Sequence, residues 1–309
     1  MRRYLTQVQQ QEYDQLYEAS GFTPTEFTGK EEYIAYLKSL YDGQDLSQAT
    51  FNQRTGGADG QRLYAVMENG SPFATLDVWQ TAENGPWQVR THLDLDGWYE
   101  VLAPEDTDVW VNGVLLAPDE ADTTLAPAYA GLPETIPGPQ MTLYRVTGVL
   151  GEPDVTAESE TGRCAVEQSD PEEGEDAPLG VYTVLLKPDR KTAETYTDLA
   201  QQAAETYATF ISKDTDRSVM LGQLVYGSEF HKRVASYNNI WYAEHTSHEF
   251  EDMEITDLLC YGENAFTCHV SFTYKVSRSG GREYEYPSQY DMAFLKTGGR
   301  WKLADLVTE

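Results

Sequence analysis

The sequence contains one local pair of histidines with a neighbouring carboxylate. His245 and His248 are separated by Thr and Ser, and Glu249 follows directly. Imidazole and carboxylate groups are ligands for zinc and related ions, and on a helix the i, i+3 spacing would put both imidazoles on one side. The order differs from the HExxH motif, whose glutamate directly follows its first histidine. We therefore expect a solvated polar loop here, with a metal site built from His245, His248 and Glu249 as the alternative.

The three cysteines form no CxxC pair, which disfavours a zinc knuckle. Cys260 and Cys268 flank a turn at 262–264 in what is predicted to be a hairpin. They could face each other across two strands, closely enough for a disulfide. Two buried thiols in a sheet are the equal alternative. Cys164 lies in an acidic segment and is left over in either case.

Motifs for covalent catalysis or phosphate binding are missing from the sequence. It contains no GxSxG, no SxxK and no glycine-rich loop between a strand and a helix. We therefore predict no catalytic residue and no cofactor, and we expect a protein that is not an enzyme, with an enzymatic role left open.

The chain is strongly acidic, with 22 Lys and Arg against 51 Asp and Glu and a formal charge of −29. Between residues 91 and 178 there are 20 Asp and Glu, two Arg and no Lys. Such a field repels phosphates and anionic lipid headgroups, so nucleic acid and direct membrane insertion are poor candidates as partners. Solubility is the main consequence that we expect from this charge.

No apolar run approaches the ~18 residues of a membrane span, and no signal peptide is recognisable. The protein is then either cytoplasmic or an extracytoplasmic part whose anchor lies outside this chain. The low Lys and Cys content, with abundant Tyr, Thr, Gly and Asp, favours the extracytoplasmic location.

Hydrophobic periodicity divides the chain into three predicted units. Residues 1–95 contain one helix over 4–19, ended by Gly21, a second from about 29 to 43, and then strands joined by Asn69-Gly70 and Asn84-Gly85 turns. Residues 96–190 show strands, acidic connections and no helical pattern. Residues 191–309 show a long helix, two short helical pieces, and four strands at about 253–261, 265–276, 284–295 and 301–307.

The last unit ends in Phe294-Leu-Lys-Thr-Gly-Gly-Arg-Trp-Lys-Leu, and with its element order it resembles the NTF2-like (SnoaL-like, cystatin-like) superfamily. The first unit resembles a shorter version, through Tyr64-Ala-Val-Met-Glu-Asn-Gly and Trp87-Gln-Val. The phrase Val101-Leu-Ala-Pro-Glu-Asp-Thr-Asp-Val-Trp-Val-Asn-Gly resembles hairpins of β-modules on bacterial surface proteins. The resemblance implies an α+β fold in which two helix-plus-curved-antiparallel-sheet units flank a small all-β module. The whole combination is similar to envelope proteins of Gram-positive bacteria, which implies a cell-envelope protein of that type.

Many NTF2-like cones hold a pocket between the long helix and the concave sheet, so the resemblance implies a pocket here too. Ordinary packing is the favoured interpretation of these aromatic side chains. Asp291 and His269 alternate with apolar neighbours along their strands and should face away from the aromatic side. The candidate pocket residues are Tyr207, Phe210, Tyr226, Phe230, Trp241, Tyr242, Tyr290 and Met292.

Three functions remain for this sequence, the last of them a purely structural spacer. The first is a non-enzymatic extracytoplasmic protein of the bacterial cell envelope, which binds a protein or cell-wall partner or serves as a scaffold. The second is a small-ligand-binding or enzymatic protein that uses the pocket of 191–309, with a small apolar ligand. An inward carboxylate or histidine in a wide cavity would favour the second function.

Overall fold

The computed structural model describes residues 1–55, 60–82, 85–118, 121–171, 174, 176–238 and 244–308. The predicted α+β class is confirmed: helices and mainly antiparallel sheets alternate along the chain as helices, sheet, β-module, helices and sheet. None of the helices in these residues is both long and apolar enough to cross a membrane.

The N-terminal unit consists of three helices and one four-stranded antiparallel sheet. The region predicted as one helix over 4–19 is two helices, because Gln11 has a left-handed φ of 57°. Gly21 ends the second helix at a φ of 64°, as predicted. The elements are α1 (Arg2–Gln9), α2 (Tyr13–Ser20), α3 (Lys30–Tyr41), β1 (Thr50–Arg54), β2 (Gln61–Glu68), β3 (Ser71–Gln80) and β4 (Trp87–Thr91).

The middle module is built from strands, with a 3₁₀ turn at Pro127–Tyr129. Its two sheets have the orders β10-β6-β7 and β11-β12-β5-β9-β8. The first and last strands of the module, β5 and β12, pair in parallel. The strands are β5 (Trp98–Pro104), β6 (Asp108–Val111), β7 (Val114–Leu115), β8 (Asp122–Leu125), β9 (Gln140–Thr147), β10 (Val155–Glu158), β11 (Arg163–Ser169) and β12 (Val181–Lys187).

The C-terminal unit places one long helix against a four-stranded antiparallel meander, β13-β14-β15-β16. Asp189 caps the long helix by accepting a hydrogen bond from the backbone of Thr192 at 2.7 Å. Register shifts in β13 and between β15 and β16 mark β-bulges, which bend a sheet. The elements are α4 (Arg190–Ser212), α5 (Arg217–Gln223), α6 (Glu229–Ser236), β13 (Ser247–Cys260), β14 (Ala265–Arg278), β15 (Arg282–Thr297) and β16 (Arg300–Thr308).

Aromatic side chains fill the space between α4 and this sheet. The ring of Tyr196 stacks on Phe266 at 3.9 Å, and Phe266 stacks on Phe294 at 4.5 Å. Trp301 meets Tyr196 and Phe266 edge-on at 5.3 and 5.1 Å. Edge-to-face and offset ring pairs stabilise the fold beyond the burial of their area. These aromatic side chains therefore serve as core packing, the interpretation that the sequence favoured.

The two cysteines of the predicted hairpin are buried free thiols, and the disulfide alternative is not realised. The β13–β14 register sets Cys260 opposite Phe266, so Cys268 lies two residues further along its strand. Because cross-strand disulfides join residues that lie directly opposite each other, this register separates the two sulfurs.

The middle module docks on the C-terminal sheet through Tyr129, which is 1% exposed. Its hydroxyl lies 2.9 Å from the carbonyl oxygen of Phe266 and 3.0 Å from that of Phe294, and donates to them. The backbone N–H of Glu229 also donates to the carbonyl of Gly131 at 2.8 Å. These contacts fix the 3₁₀ turn against the sheet and against the start of α6.

Candidate functional site

A cavity of about 400 Å³ lies between α4, α6 and the end of β16; we call it the α4–α6 cavity. Its lining is mainly aromatic and aliphatic, with two phenol hydroxyls, one threonine and one guanidinium. The lining residues are Tyr207, Phe210, Ile211, Phe230, Arg233, Val234, Tyr237, Leu306, Val307 and Thr308.

The ring of Tyr207 forms part of the inner wall of this cavity. It packs 5.7 Å from the ring of Phe230 and 5.4 Å from that of Tyr290. Burial raises the pKa of the Tyr207 phenol above its ordinary value, and Tyr237 adds to the effect. The hydroxyl is therefore neutral at physiological pH and can donate or accept a hydrogen bond.

Arg233 contributes the charge of the cavity, and that charge is already paired. Its Nη2 lies 2.6 Å from Oδ1 of Asp305 and 3.2 Å from the carbonyl oxygen of Leu306. The guanidinium carbon also lies 5.2 Å from the centroid of the Phe230 ring. The cavity is thus an apolar space beside a compensated ion pair.

The structure brings three of the predicted pocket residues together on this cavity, namely Tyr207, Phe210 and Phe230. Tyr290 and Met292 belong to the same core, and their side chains are buried. The prediction that Tyr226 lines the pocket is wrong: its side chain is 82% exposed, and its ring lies 5.0 Å from the ring of His231. Its aromatic type suggested a core position, but it lies in the turn between α5 and α6. Trp241 and Tyr242 lie outside the described residues.

A second group of side chains joins the end of α4 to the start of β13; we call it the Asp214 cluster. Nε2 of His245 lies 2.9 Å from Oδ2 of Asp214, and Nδ1 of His248 lies 3.5 Å from the same oxygen. The three ligand atoms all lie within 4.8 Å of one another. Two imidazoles and one carboxylate in this arrangement are chemically suited to a divalent metal ion.

The carboxylate of Asp214 is held in place by neighbouring hydroxyl groups. Ser212 donates to its Oδ2 at 2.6 Å, and the Tyr274 hydroxyl lies 3.4 Å from the same oxygen. Burial acts to raise the pKa of the Asp214 carboxyl, but the Ser212 hydrogen bond and the two histidines outweigh it and lower that pKa. Burial, together with Asp214, raises the pKa of Tyr274 to about 12. Asp214 is therefore a fixed anion between neutral hydroxyls.

The predicted ligand set was partly wrong, because strand geometry replaces the expected loop or helix. β13 begins at Ser247, so His248 and Glu249 are consecutive strand residues whose side chains point to opposite faces. Glu249 therefore lies on the face away from His248, and Asp214 provides the carboxylate instead. His245 and His248 are brought together as the sequence suggested, although not by an i, i+3 helical spacing.

Two other histidines form pairs with carboxylates. His269 Nδ1 lies 2.8 Å from Oδ1 of Asp291, beside a cavity of about 600 Å³ between the sheet and the 127–131 segment. Both residues face away from the aromatic core, as strand alternation predicted. Asp77, with a side chain that is 2% exposed, pairs with Arg90 at 3.1 Å and His92 at 2.8 Å.

Comparisons with known proteins add little to this geometry. No family model matches the chain, and no curated protein matches it. Among the solved structures that match is an "Ntf2 like protein involved in plasmid conjugation", with 10% sequence identity and a TM-score of 0.28. The match covers 84% of this chain and 75% of that chain. A TM-score this low does not establish a shared fold, so the α+β class rests on this chain's own elements.

Proposed function

We propose that this chain is a non-enzymatic binding protein and that the α4–α6 cavity holds a small, mainly apolar ligand. The observation that carries the proposal is the cavity itself, with its volume of about 400 Å³ and its aromatic and aliphatic lining. Sites for small molecules are typically about 300–1,000 Å³, mostly apolar, with a few polar groups that orient the ligand. The phenol of Tyr207, the hydroxyl of Thr308 and the guanidinium of Arg233 supply those polar groups.

The lining favours binding over proton transfer. The described residues around the cavity include neither a carboxylate nor an imidazole. General acid–base catalysis needs such a group within about 2.6–3.2 Å of the reacting atom. The neutral Tyr207 phenol and the paired Arg233 are better suited to orienting a ligand than to moving a proton.

A larger partner is the second candidate, and the distribution of exposed apolar side chains supports it less well. These side chains belong to six different places in the chain, namely β4, β7, the segment before β12, α5, the α5–α6 turn and β16, and of these only α5, the α5–α6 turn and β16 belong to elements that pack against one another. A protein or cell-wall partner would be expected to use one contiguous patch of several hundred Å². The exposed side chains are Trp87, Leu115, Leu179, Val219, Tyr226 and Val307.

We also propose membership of the NTF2-like superfamily and an extracytoplasmic location in the bacterial cell envelope. The element order of residues 191–309 and the closing Gly298-Gly299 hairpin support the first proposal. The low Lys and Cys content supports the second. Protease treatment of intact source cells tests the location: digestion of the native protein supports it, and protection until lysis contradicts it.

The binding proposal is tested with the neutral apolar fluorophore N-phenyl-1-naphthylamine. Thr308 is an exposed lining residue, so Thr308→Trp adds an indole at the cavity without overpacking a core. Thr195→Trp is the matched control, because Thr195 is an exposed threonine on α4 outside the lining. We expect saturable binding by the wild type and the control, and at least about tenfold weaker binding by Thr308→Trp, a change of about 1.4 kcal/mol.

Equal affinity in Thr308→Trp and the wild type would place the fluorophore elsewhere and refute the assignment to this cavity. Absence of saturable binding by the wild type would also count against the proposal. A near-unchanged melting temperature in both variants shows that the comparison concerns the cavity and not the fold.

A further inference from the structure

We propose that Asp214, His245 and His248 form a binding site for one divalent transition-metal ion of the zinc class. The site is separate from the α4–α6 cavity, because none of the three residues lines that cavity. It therefore stands or falls independently of the small-ligand proposal.

Both separations between the imidazole nitrogens and Asp214 Oδ2 are close to those around a bound metal ion, and the two imidazole nitrogens lie within 4.8 Å of each other. Zinc binds imidazole nitrogen and carboxylate oxygen at about 2.0–2.2 Å, so tetrahedral ligands lie about 3.3–3.5 Å apart. His248 Nδ1 is already 3.5 Å from Asp214 Oδ2, and His245 Nε2 is 2.9 Å from it. A shift of a few tenths of an ångström in His245 would make both separations suitable for one ion.

The site is open to solvent on one side and enclosed on the other. The side chain of His245 is 3% exposed, whereas those of Asp214 and His248 are 34% and 33% exposed. An ion can therefore enter beside Asp214 and His248. A water molecule can complete the coordination from the same side, as in zinc sites with three protein ligands.

Groups around the ligands hold them in position. Ser212, which is 2% exposed, fixes the Asp214 carboxylate through a hydrogen bond of 2.6 Å and lies 2.8 Å from the Tyr274 hydroxyl. The His248 ring packs against Phe250 at 5.9 Å and against Tyr274 at 5.6 Å. Outer partners of this kind preorganise metal ligands.

Other histidine–carboxylate pairs in the described residues do not reach three ligands. Over the described part of the chain, no other set of three His, Cys, Asp or Glu side chains brings its ligand atoms as close together. His269 with Asp291 has the same 2.8–2.9 Å type of contact but offers two ligands. The net charge of −29 also raises the local concentration of cations around the protein.

A bound ion would tie the chain just after α4 to the first residues of β13. Asp214 comes from the former, His248 from the latter, and His245 from the segment directly before β13. Because the ion binds the folded arrangement and not the unfolded chain, it should raise the melting temperature, and the rise should grow with the logarithm of the ion concentration once that concentration exceeds Kd. The site therefore makes the stability of the C-terminal unit depend on metal.

The test uses tag-free, full-length protein stripped with EDTA and titrated with Co²⁺ and with Zn²⁺. We expect one Co²⁺ per chain with visible d–d bands, displacement by Zn²⁺, and a rise in melting temperature that EDTA reverses. Asp214→Asn and His248→Gln should weaken binding by at least about 100-fold, because even outer partners contribute about 10–100-fold. Ser212→Ala removes an outer partner and should weaken binding by about 10–100-fold. His269→Gln is the matched control and should bind like the wild type.

Several results would overturn the metal site. These are the absence of saturable binding at millimolar Co²⁺ or Zn²⁺, wild-type affinity in Asp214→Asn, or loss of binding in His269→Gln. A near-ultraviolet thiolate-to-cobalt band would assign the ion to cysteine instead and would also refute the site. Should His248→Gln fail to fold in EDTA, the isosteric Asp214→Asn variant decides the question alone.

Discussion

The contact of Tyr129 with the C-terminal sheet gives a quantitative prediction about how the middle module and the C-terminal unit are coupled. Tyr129 is 1% exposed, and its ring lies 5.6 Å from that of Tyr261 in an edge-on arrangement. Its hydroxyl donates to the carbonyl oxygens of Phe266 and Phe294. We expect Tyr129→Ala to destabilise the protein and to weaken the coupling between the two parts.

The expected magnitude follows from the two groups that are lost. Tyr129→Phe removes only the hydroxyl, and a net protein hydrogen bond contributes about 1 kcal/mol, so this variant should lose about that amount. Tyr129→Ala also removes a fully buried aromatic ring, which costs about 3–5 kcal/mol in well-packed cores. Tyr226→Ala is the matched control: the same atoms are removed from a side chain that is 82% exposed, and a change within about 0.5 kcal/mol is expected.

The assay is urea unfolding followed both by tryptophan fluorescence and by far-ultraviolet circular dichroism. The two probes should report the same unfolding transition for the wild type, Tyr129→Phe and Tyr226→Ala. For Tyr129→Ala the transition should move to lower urea concentration, and the midpoints from the two probes should differ. If Tyr129→Ala unfolds within about 1 kcal/mol of Tyr226→Ala and remains coincident, then the 3₁₀ turn does not couple the two parts, and the reasoning from its burial is refuted.

Two further predictions concern the cysteines. A thiol reagent at neutral pH should modify at most one group in the folded protein, the half-buried Cys164, because Cys260 and Cys268 are buried free thiols. After denaturation without reductant it should modify all three. If only one thiol reacted after denaturation, Cys260 and Cys268 would be bonded to each other. Burial raises the pKa of the Cys268 thiol from 9.0 to about 12, so this thiol ionises at a lower pH in the unfolded chain than in the folded protein. The contribution of the neutral thiol to the free energy of unfolding is therefore fully present below pH 9 and is lost as the pH rises towards 12. At about 1.4 kcal/mol per pKa unit the loss is about 3 kcal/mol by about pH 11 and about 4 kcal/mol once the pH exceeds about 12. Urea unfolding at pH 8 and about pH 11 should therefore show a smaller alkaline loss for Cys268→Ala than for the wild type. An equal loss in both would contradict the assignment.

Local signals in the sequence were sufficient for most of the fold. The Asn69-Gly70, Asn112-Gly113 and Gly298-Gly299 turns all adopt the positive φ values that such hairpins need. Alternation along β14 buries Phe266, Cys268, Val270 and the alternate residues that follow, as the strand pattern predicted. The break between α1 and α2 was missed because Gln11 is a good helix former and carries no residue type that marks a left-handed position.

The site was less predictable because its residues meet through tertiary structure. His245 and His248 were visible as a local cluster, but Asp214 lies 31 positions from His245 and reaches it only after α4 has ended and the chain has returned to begin β13. No spacing rule encodes that return. Glu249 was the nearest carboxylate in sequence, yet the period of two in a strand turns it away.

The parallel pairing of β5 with β12 affects the folding of the nascent chain and the choice of boundaries for truncated variants. Nascent β5 finds β9 on one side, but its other edge stays bare until Val181–Lys187 has been synthesised. Bare edges of this kind recruit strands from other molecules. Fragments that end before Val181 should therefore aggregate, and a stable truncation should keep β12. Only Pro188 and Asp189 separate that strand from α4, so a truncation that keeps β12 and removes α4 has to end at one of these two residues.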